Sequence, residues 1–277
     1  MIDHRISLLE KTKLFVLDMD GTFYLGEHMI DGALEFLQTL ERTGRRYLFF
    51  TNNSSKSAET YVKKLRCMNC SVDASQIMTS GDVMIEYLKH YYPGHSVYLS
   101  GTDSLKTSFM QSGIPLTEEQ PDIVVVGFDT TLTYNKLERA CSYIRNGALF
   151  LATHMDINCP TEDGFIPDCG SLCAAITRST GIAPKYLGKP YPETVELILK
   201  KTGAPRDQIA FVGDRLYTDV AAGVNNGATG FLVLTGETKT ADLEHAEIRP
   251  DGVFLSLKEM EYLLRVSAEK DNFVLTN

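Results

Sequence analysis

No apolar run in this chain approaches the roughly 20 residues that cross a bilayer. The polar opening from Met1 to Ser7 is unlike a secretion signal, so a cytoplasmic protein is the expectation. Basic runs are missing as well. With 27 Lys and Arg against 36 Asp and Glu, the formal charge is minus 9, and no patch is available to displace counterions from a nucleic-acid backbone. A small phosphate held locally is still compatible with that balance. Neither G-x-x-x-x-G-K-[ST] nor G-x-G-x-x-G occurs, which removes the ATP P-loop and the dinucleotide fold. The six histidines (4, 28, 90, 95, 154 and 245) form no i, i+4 pair and no H-E-x-x-H. Cys67-Met-Asn-Cys70 has zinc spacing, yet no second Cys or His pair follows at finger distance, and Cys169 and Cys173 stand elsewhere. Without secretory features, the six cysteines read as thiols and not as a disulfide framework. Internal repeats, heptads and low-complexity linkers are absent too.

What is present is an ordinary globular composition, 43% hydrophobic and 23% charged over 277 residues, enough for one large core or two domains. Strand-like apolar runs alternate with helix-like segments, which predicts βαβ units and a mostly parallel sheet. Asp31 and Gly32, followed by Ala33, Leu34, Leu37 and Leu40, read as an amphipathic helix with Asp31 at its N-cap and an end before Gly44. A second helix is expected from Pro192 through Val195, Ile198 and Leu199 to a stop at Gly203. Between about 81 and 184 the pattern repeats on a smaller scale. Val97 to Leu99, Ile123 to Val126 and Leu149 to Ala152 are expected strands, and Tyr134 to Arg145 a helix.

The most informative segment is Lys13 to Leu17, an apolar run that delivers Asp18, Met19, Asp20, Gly21 and Thr22. Side chains two apart on an extended chain point the same way, so Asp18 and Asp20 can be presented to one small volume. Two carboxylates there repel each other unless something cationic lies between. Ligands in open α/β sheets bind outside the carboxyl ends of the strands, which suggests metal-assisted chemistry on an anion; the plain alternative is a solvated Asp-x-Asp-Gly turn. Other apolar runs end in matching residues: Tyr47 to Phe50 leads into Thr51, Asn52 and Asn53, and Ile209 to Val212 into Gly213 and Asp214. A loop carries Gly188, Lys189 and Pro190.

Asp18-x-Asp20-Gly21-Thr22, the Thr51 segment, Lys189, and Gly213 Asp214 with Thr218 Asp219 resemble the four ordered motifs of the haloacid dehalogenase superfamily. The stretch between Thr51 and Lys189 looks like the inserted cap of its p-nitrophenyl phosphatase and NagD-like branch. The resemblance implies an α/β fold: a Rossmann-like parallel-sheet core from residues 1–80 and 185–277, and a smaller inserted α/β cap from 81–184. It assigns nucleophilic attack on phosphorus to Asp18, giving an aspartyl phosphate, and general acid–base work to Asp20. The second acid also points to phosphoryl transfer, since the dehalogenating branch lacks it.

Thr51 offers a hydroxyl and the Asn52–Asn53 segment offers amides to the phosphoryl oxygens, Lys189 adds a positive charge, and Gly21 allows close approach of backbone. Oxygen-only ligands indicate magnesium, held by the Asp18 and Asp214 carboxylates and the Asp20 main-chain carbonyl, with Asp219 behind them. The leaving group falls to the cap, where the segment from Ala152 to Leu172 resembles the substrate-specificity loop; His154 and Asp156 are candidate contacts. Two residues depart from the usual pattern: His154 stands where asparagine is common, and Asp168 where glycine is common. Asp168 either faces the site, disfavouring a strongly anionic leaving group, or faces solvent.

The expected enzyme is thus a magnesium-dependent phosphatase of small phosphorylated metabolites. Relatives imply a homodimer through the cap. The alternatives are a phosphotransferase or mutase with the same residues, a non-catalytic protein that binds a phosphorylated metabolite, and a receiver-like signalling domain. The last of these is much shorter and carries its acceptor aspartate mid-chain.

Overall fold

The computed structural model describes residues 3–161 and 164–275. The chain packs into two compact units: Met1–Phe50 with Leu65–Ile77 and Ile198–Asn277, and Thr51–Lys64 with Met78–Leu197. The expected limits near 81 and 184 both fall inside Met78–Leu197, and the second unit also takes in Thr51–Lys64.

A six-stranded sheet organises the first unit, in the spatial order Gly252–Phe254, Thr229–Val233, Ile209–Gly213, Leu14–Leu17, Arg46–Thr51, Ile77–Thr79. Its pairings from Gly252–Phe254 across to Arg46–Thr51 are parallel. Leu14 to Leu17 are all buried, the mark of a strand covered on both faces. From that strand the chain runs outward through Arg46–Thr51 and Ile77–Thr79, then returns to Ile209–Gly213 on the other flank and runs outward again. The order therefore reverses between Leu14–Leu17 and Ile209–Gly213. At such a point the crossovers lead away to opposite sides and leave a crevice at the carboxyl ends of the strands.

Register decides what lines it. Leu17 sits opposite Val212 and the Asp18 amide donates to the Val212 carbonyl at 2.8 Å, so Asp18 and Asp214 leave the sheet at nearly the same level. The second unit holds its own parallel sheet, ordered Lys185–Tyr186, Leu149–Ala152, Ile123–Val126, Val97–Ser100. An antiparallel hairpin, Asn158–Thr161 with Gly164–Pro167, extends from it. Among the described residues no helix is long and apolar enough to cross a membrane.

The expected helices form over Ala33–Arg42, Tyr134–Arg145 and Pro192–Thr202. One cap differs. The helix Ala33–Arg42 is preceded by Gly32 in the left-handed region, with no side-chain cap, and the Asp31 carboxylate instead meets Lys258 Nζ at 2.7 Å. A lysine brought alongside from the C-terminal helix competes for that carboxylate, and no local pattern announces it.

Candidate active site

The first unit gathers Asp18, Asp20, Gly21, Asp214 and Asp219 at the crevice end of its sheet. One carboxylate oxygen from each of Asp18, Asp214 and Asp219 lies within 4.8 Å of the others. Asp18 is half-buried, while Asp214 and Asp219 are buried. Asp219 stands on a π-helical turn, Leu216–Val220, and its Oδ2 accepts the Arg215 amide at 3.0 Å, which holds that turn against the strand end.

Asp214 is held from three directions. Its Oδ2 accepts the Glu237 amide at 2.6 Å, its carbonyl accepts the Thr238 amide at 3.1 Å, and Thr22 Oγ1 donates to its Oδ1 at 3.4 Å. Thr235 Oγ1 donates to the Gly21 carbonyl at 2.6 Å, so the segment 235–238 supports both halves of the acidic cluster. Gly21 adopts φ +86°, and a Cβ there would fall 2.6 Å from Asp214 Oδ2; no other residue fits that approach. Beyond it, the Tyr24 hydroxyl donates to Asp20 Oδ2 at 3.2 Å.

Burial, and next the charge of Asp219, push the Asp214 carboxyl up to about 6. Carboxylates so placed resist being ionised together, and a hard divalent cation relieves the conflict while needing only oxygen donors. The residues present therefore suit such an ion.

The second unit brings together Asn52, Lys189, His154, Asp156 and Asp168, all buried. Thr51 ends its strand, and its Oγ1 accepts the Asn53 amide at 3.1 Å, which leaves the hydroxyl hydrogen to donate elsewhere. The Asn53 side chain takes the Ser55 amide and hydroxyl at 3.0 and 2.6 Å, a local turn. Asn52 Oδ1 accepts the Lys189 amide at 2.8 Å, and its Nδ2 donates to the Lys189 carbonyl at 3.0 Å and to the Asp156 carboxylate.

His154 is fully buried, with Nε2 2.8 Å from Asp168 Oδ1 and Nδ1 2.9 Å from Thr153 Oγ1. His154, Asp156 and Asp168 also converge within 4.8 Å, where His154 Nε2 meets Asp168 and Asp156 accepts from Asn52 Nδ2. Burial alone would lower the His154 pKa. The Asp168 carboxylate beside it outweighs that, with smaller help from Cys169 and Asp156, and the imidazole is raised to about 9.

The sign follows from linkage. A histidine whose pKa rises from 6.5 unfolded to about 9 folded stabilises fully below pH 6.5 and ceases to do so as pH climbs through 9. Between pH 7 and 10 the protein is expected to lose roughly 2 to 3 kcal/mol from this group, read as a fall in the urea midpoint that His154→Asn does not show. Equal slopes in both proteins would refute the charged pair.

Residues 15–115 match the model of the haloacid dehalogenase-like hydrolase family, and residues 186–260 match a second HAD-hydrolase-like model. An acid sugar phosphatase of Staphylococcus aureus is 35% identical over 252 residues, covering 91% of this chain and 97% of that protein. The chain belongs to the haloacid dehalogenase-like hydrolases. Among solved structures, a 4-nitrophenylphosphatase from Thermotoga maritima is 49% identical with a TM-score of 0.89, spanning 92% of this hydrolase and 98% of that chain. NagD from E. coli K-12 is 30% identical with a TM-score of 0.83, spanning 90% and 98%.

Against this background the departures at His154 and Asp168 acquire a physical meaning. Asp168 does not face solvent: it is buried, bonded to His154, and caps the helix Cys169–Thr180 by accepting the Cys169 amide at 2.6 Å. The two residues are partners. Sequence reasoning also misses Tyr24 and the segment 235–238. Thr235-Gly236-Glu237 follows the apolar run Phe231 to Leu234, and that strand-end position is the available signal.

Proposed function

We propose that this hydrolase cleaves phosphate monoesters of small metabolites through an aspartyl-phosphate intermediate formed on Asp18. The observation that carries the reading is the acidic cluster at the sheet's reversal point, with Asp18 at the end of one flanking strand and Asp214 beyond the other. An Asp18 oxygen attacks phosphorus as the ester P–O bond breaks, and its electron pair goes to the leaving oxygen, which takes a proton from the Asp20 carboxyl. Water then attacks the aspartyl phosphate and passes a proton to Asp20, releasing phosphate and restoring Asp18. Tyr24 holds one Asp20 oxygen throughout, which limits the rotamers open to the acid.

The assignment of Thr51 and Lys189 to the phosphoryl oxygens is part of the same proposal. Thr51 closes the strand next to Leu14–Leu17, and Lys189 is a buried cation of the kind an anionic group requires. Magnesium is the ion proposed for the cluster, with Asp18, Asp214 and the Asp20 carbonyl as ligands and Asp219 orienting them. When bound it would neutralise charge on the phosphoryl oxygens and keep Asp18 ionised. A homodimer through the second unit, as the family resemblance implies, belongs to this reading.

The test is phosphate release from p-nitrophenyl phosphate and a panel of sugar phosphates and nucleotides. Exhaustive chelation is expected to remove turnover and added magnesium to restore it. Asp214→Asn should raise the magnesium concentration for half-maximal rate by at least the 10- to 100-fold typical of outer-shell changes. Turnover that survives chelation would refute the metal assignment. A second sugar becoming phosphorylated in place of free phosphate would favour the transferase reading.

A further inference from the structure

The side-chain amide of Asn52 closes on both backbone groups of a single residue. Oδ1 accepts the Lys189 N–H at 2.8 Å while Nδ2 donates to the Lys189 carbonyl at 3.0 Å, the pattern a neighbouring strand would supply. The other Nδ2 hydrogen points to the Asp156 carboxylate, with its oxygens at 3.3 and 3.4 Å. On the opposite side the Asn52 carbonyl accepts the Ser80 hydroxyl at 2.5 Å, and Ser80 Oγ lies 3.3 Å from His154 Nδ1. Space for this clasp is made by Gly188, at φ +72°, where a Cβ would stand 2.8 Å from both Asn52 Oδ1 and the Thr153 carbonyl. Both hydrogens of Nδ2 and one lone pair of Oδ1 are thus committed to protein groups, so the side chain's hydrogen-bonding capacity goes chiefly to the Lys189 backbone and Asp156.

We propose that Asn52 is a positioning residue. It seats Lys189 by its backbone and joins that seat to Asp156 on the loop that follows the strand Leu149–Ala152. The inference rests on the assignment of Lys189 to the phosphoryl oxygens. A lysine side chain has four rotatable bonds, so its ammonium can be aimed only if its root is fixed; two backbone hydrogen bonds supply that fixity where Pro190 has no N–H to offer. Displacement of a charged group by about 1 Å is enough to lower rate about 100-fold.

The experiment is a double-mutant cycle in the full-length magnesium-loaded protein, with p-nitrophenyl phosphate as probe. Asn52→Ala is expected to lower kcat/KM about 30- to 100-fold. In the Lys189→Ala background the same change should lower it by no more than about threefold, because the group it positions is gone. Hydrogen exchange gives a readout independent of activity: in Asn52→Ala the Lys189 amide should exchange at least about tenfold faster, while amides of the strand Ile209–Gly213 keep their protection. Should Asn52→Ala not fold, the uncharged and similarly shaped Asn52→Leu carries the cycle, since it fills the site and loses both hydrogen bonds to the Lys189 backbone.

Losses that multiply fully across the cycle, or wild-type kcat/KM in Asn52→Ala, would overturn the positioning role while leaving Lys189 in place. Full activity in Lys189→Ala would instead overturn the assignment of Lys189, and this proposal with it.

Discussion

Asp18→Asn is expected to abolish phosphate release, lowering kcat by at least about four orders of magnitude, because an amide cannot form the acyl phosphate. Asp20→Asn should fall less, by about two to four orders, since it removes proton transfer while leaving the nucleophile in place. The order is diagnostic: a general-base mechanism with direct attack by water would make Asp20 the more damaging loss.

Stability should move the other way. Asp18, Asp214 and Asp219 bring their oxygens within 4.8 Å of one another, a crowding of like charge, while burial and next the charge of Asp219 raise the Asp214 carboxyl. Removing one charge relieves it, so metal-free Asp18→Asn should melt at or above the wild-type temperature. A variant that is both inactive and markedly less stable would indicate that Asp18 holds the fold and would leave the chemistry undecided by this residue. Phosphate release at the wild-type rate would refute the covalent route outright.

The second large effect concerns the buried pair. His154→Asn alone and Asp168→Gly alone are each expected to destabilise by about 3 to 5 kcal/mol, because each leaves an uncompensated charge or an unsatisfied ring nitrogen in a site closed to water. The double variant His154→Asn/Asp168→Gly removes both members of the pair. It should recover most of that loss, retaining a deficit of about 1 kcal/mol for the missing helix cap. Urea unfolding of the four proteins measures the coupling. Additive losses would mean that the 2.8 Å contact contributes little. Recovery would mean that His154 and Asp168 are one substitution in physical terms, a neutral pair replaced by an ionic one of the same net charge. That has a consequence for specificity: Asp168 brings no net charge to the leaving group, and its discrimination against anionic esters is not expected.

Much of this molecule is legible from local pattern. Parallel strands buried on both faces read as continuous apolar runs, and Leu14–Leu17, Ile123–Val126 and Leu149–Ala152 form within a residue of where those runs lie or on them. Helix ends marked by Gly44 and Gly203 are legible for the same kind of reason, a backbone conformation that few other residues adopt. Asp18, Thr51 and Asp214 stand out as candidates because ligands in such sheets bind at strand ends, and strand ends are visible in one dimension. Legibility fails wherever a side chain chooses between a local partner and a distant one. Asp31 reads as a cap and is drawn instead to Lys258, 227 residues away. The segment 235–238 reaches Asp214 only because neighbouring strands bring their loops to one edge of the sheet. His154 and Asp168 read as two separate departures, fourteen residues apart in a loop. Residue type and strand-end position are local properties, so the order of amino acids was enough to say which groups could do the chemistry. Which charges balance one another was settled by folding, because the energy of a buried charge depends on what lies within a few ångströms of it and not on what adjoins it in the chain.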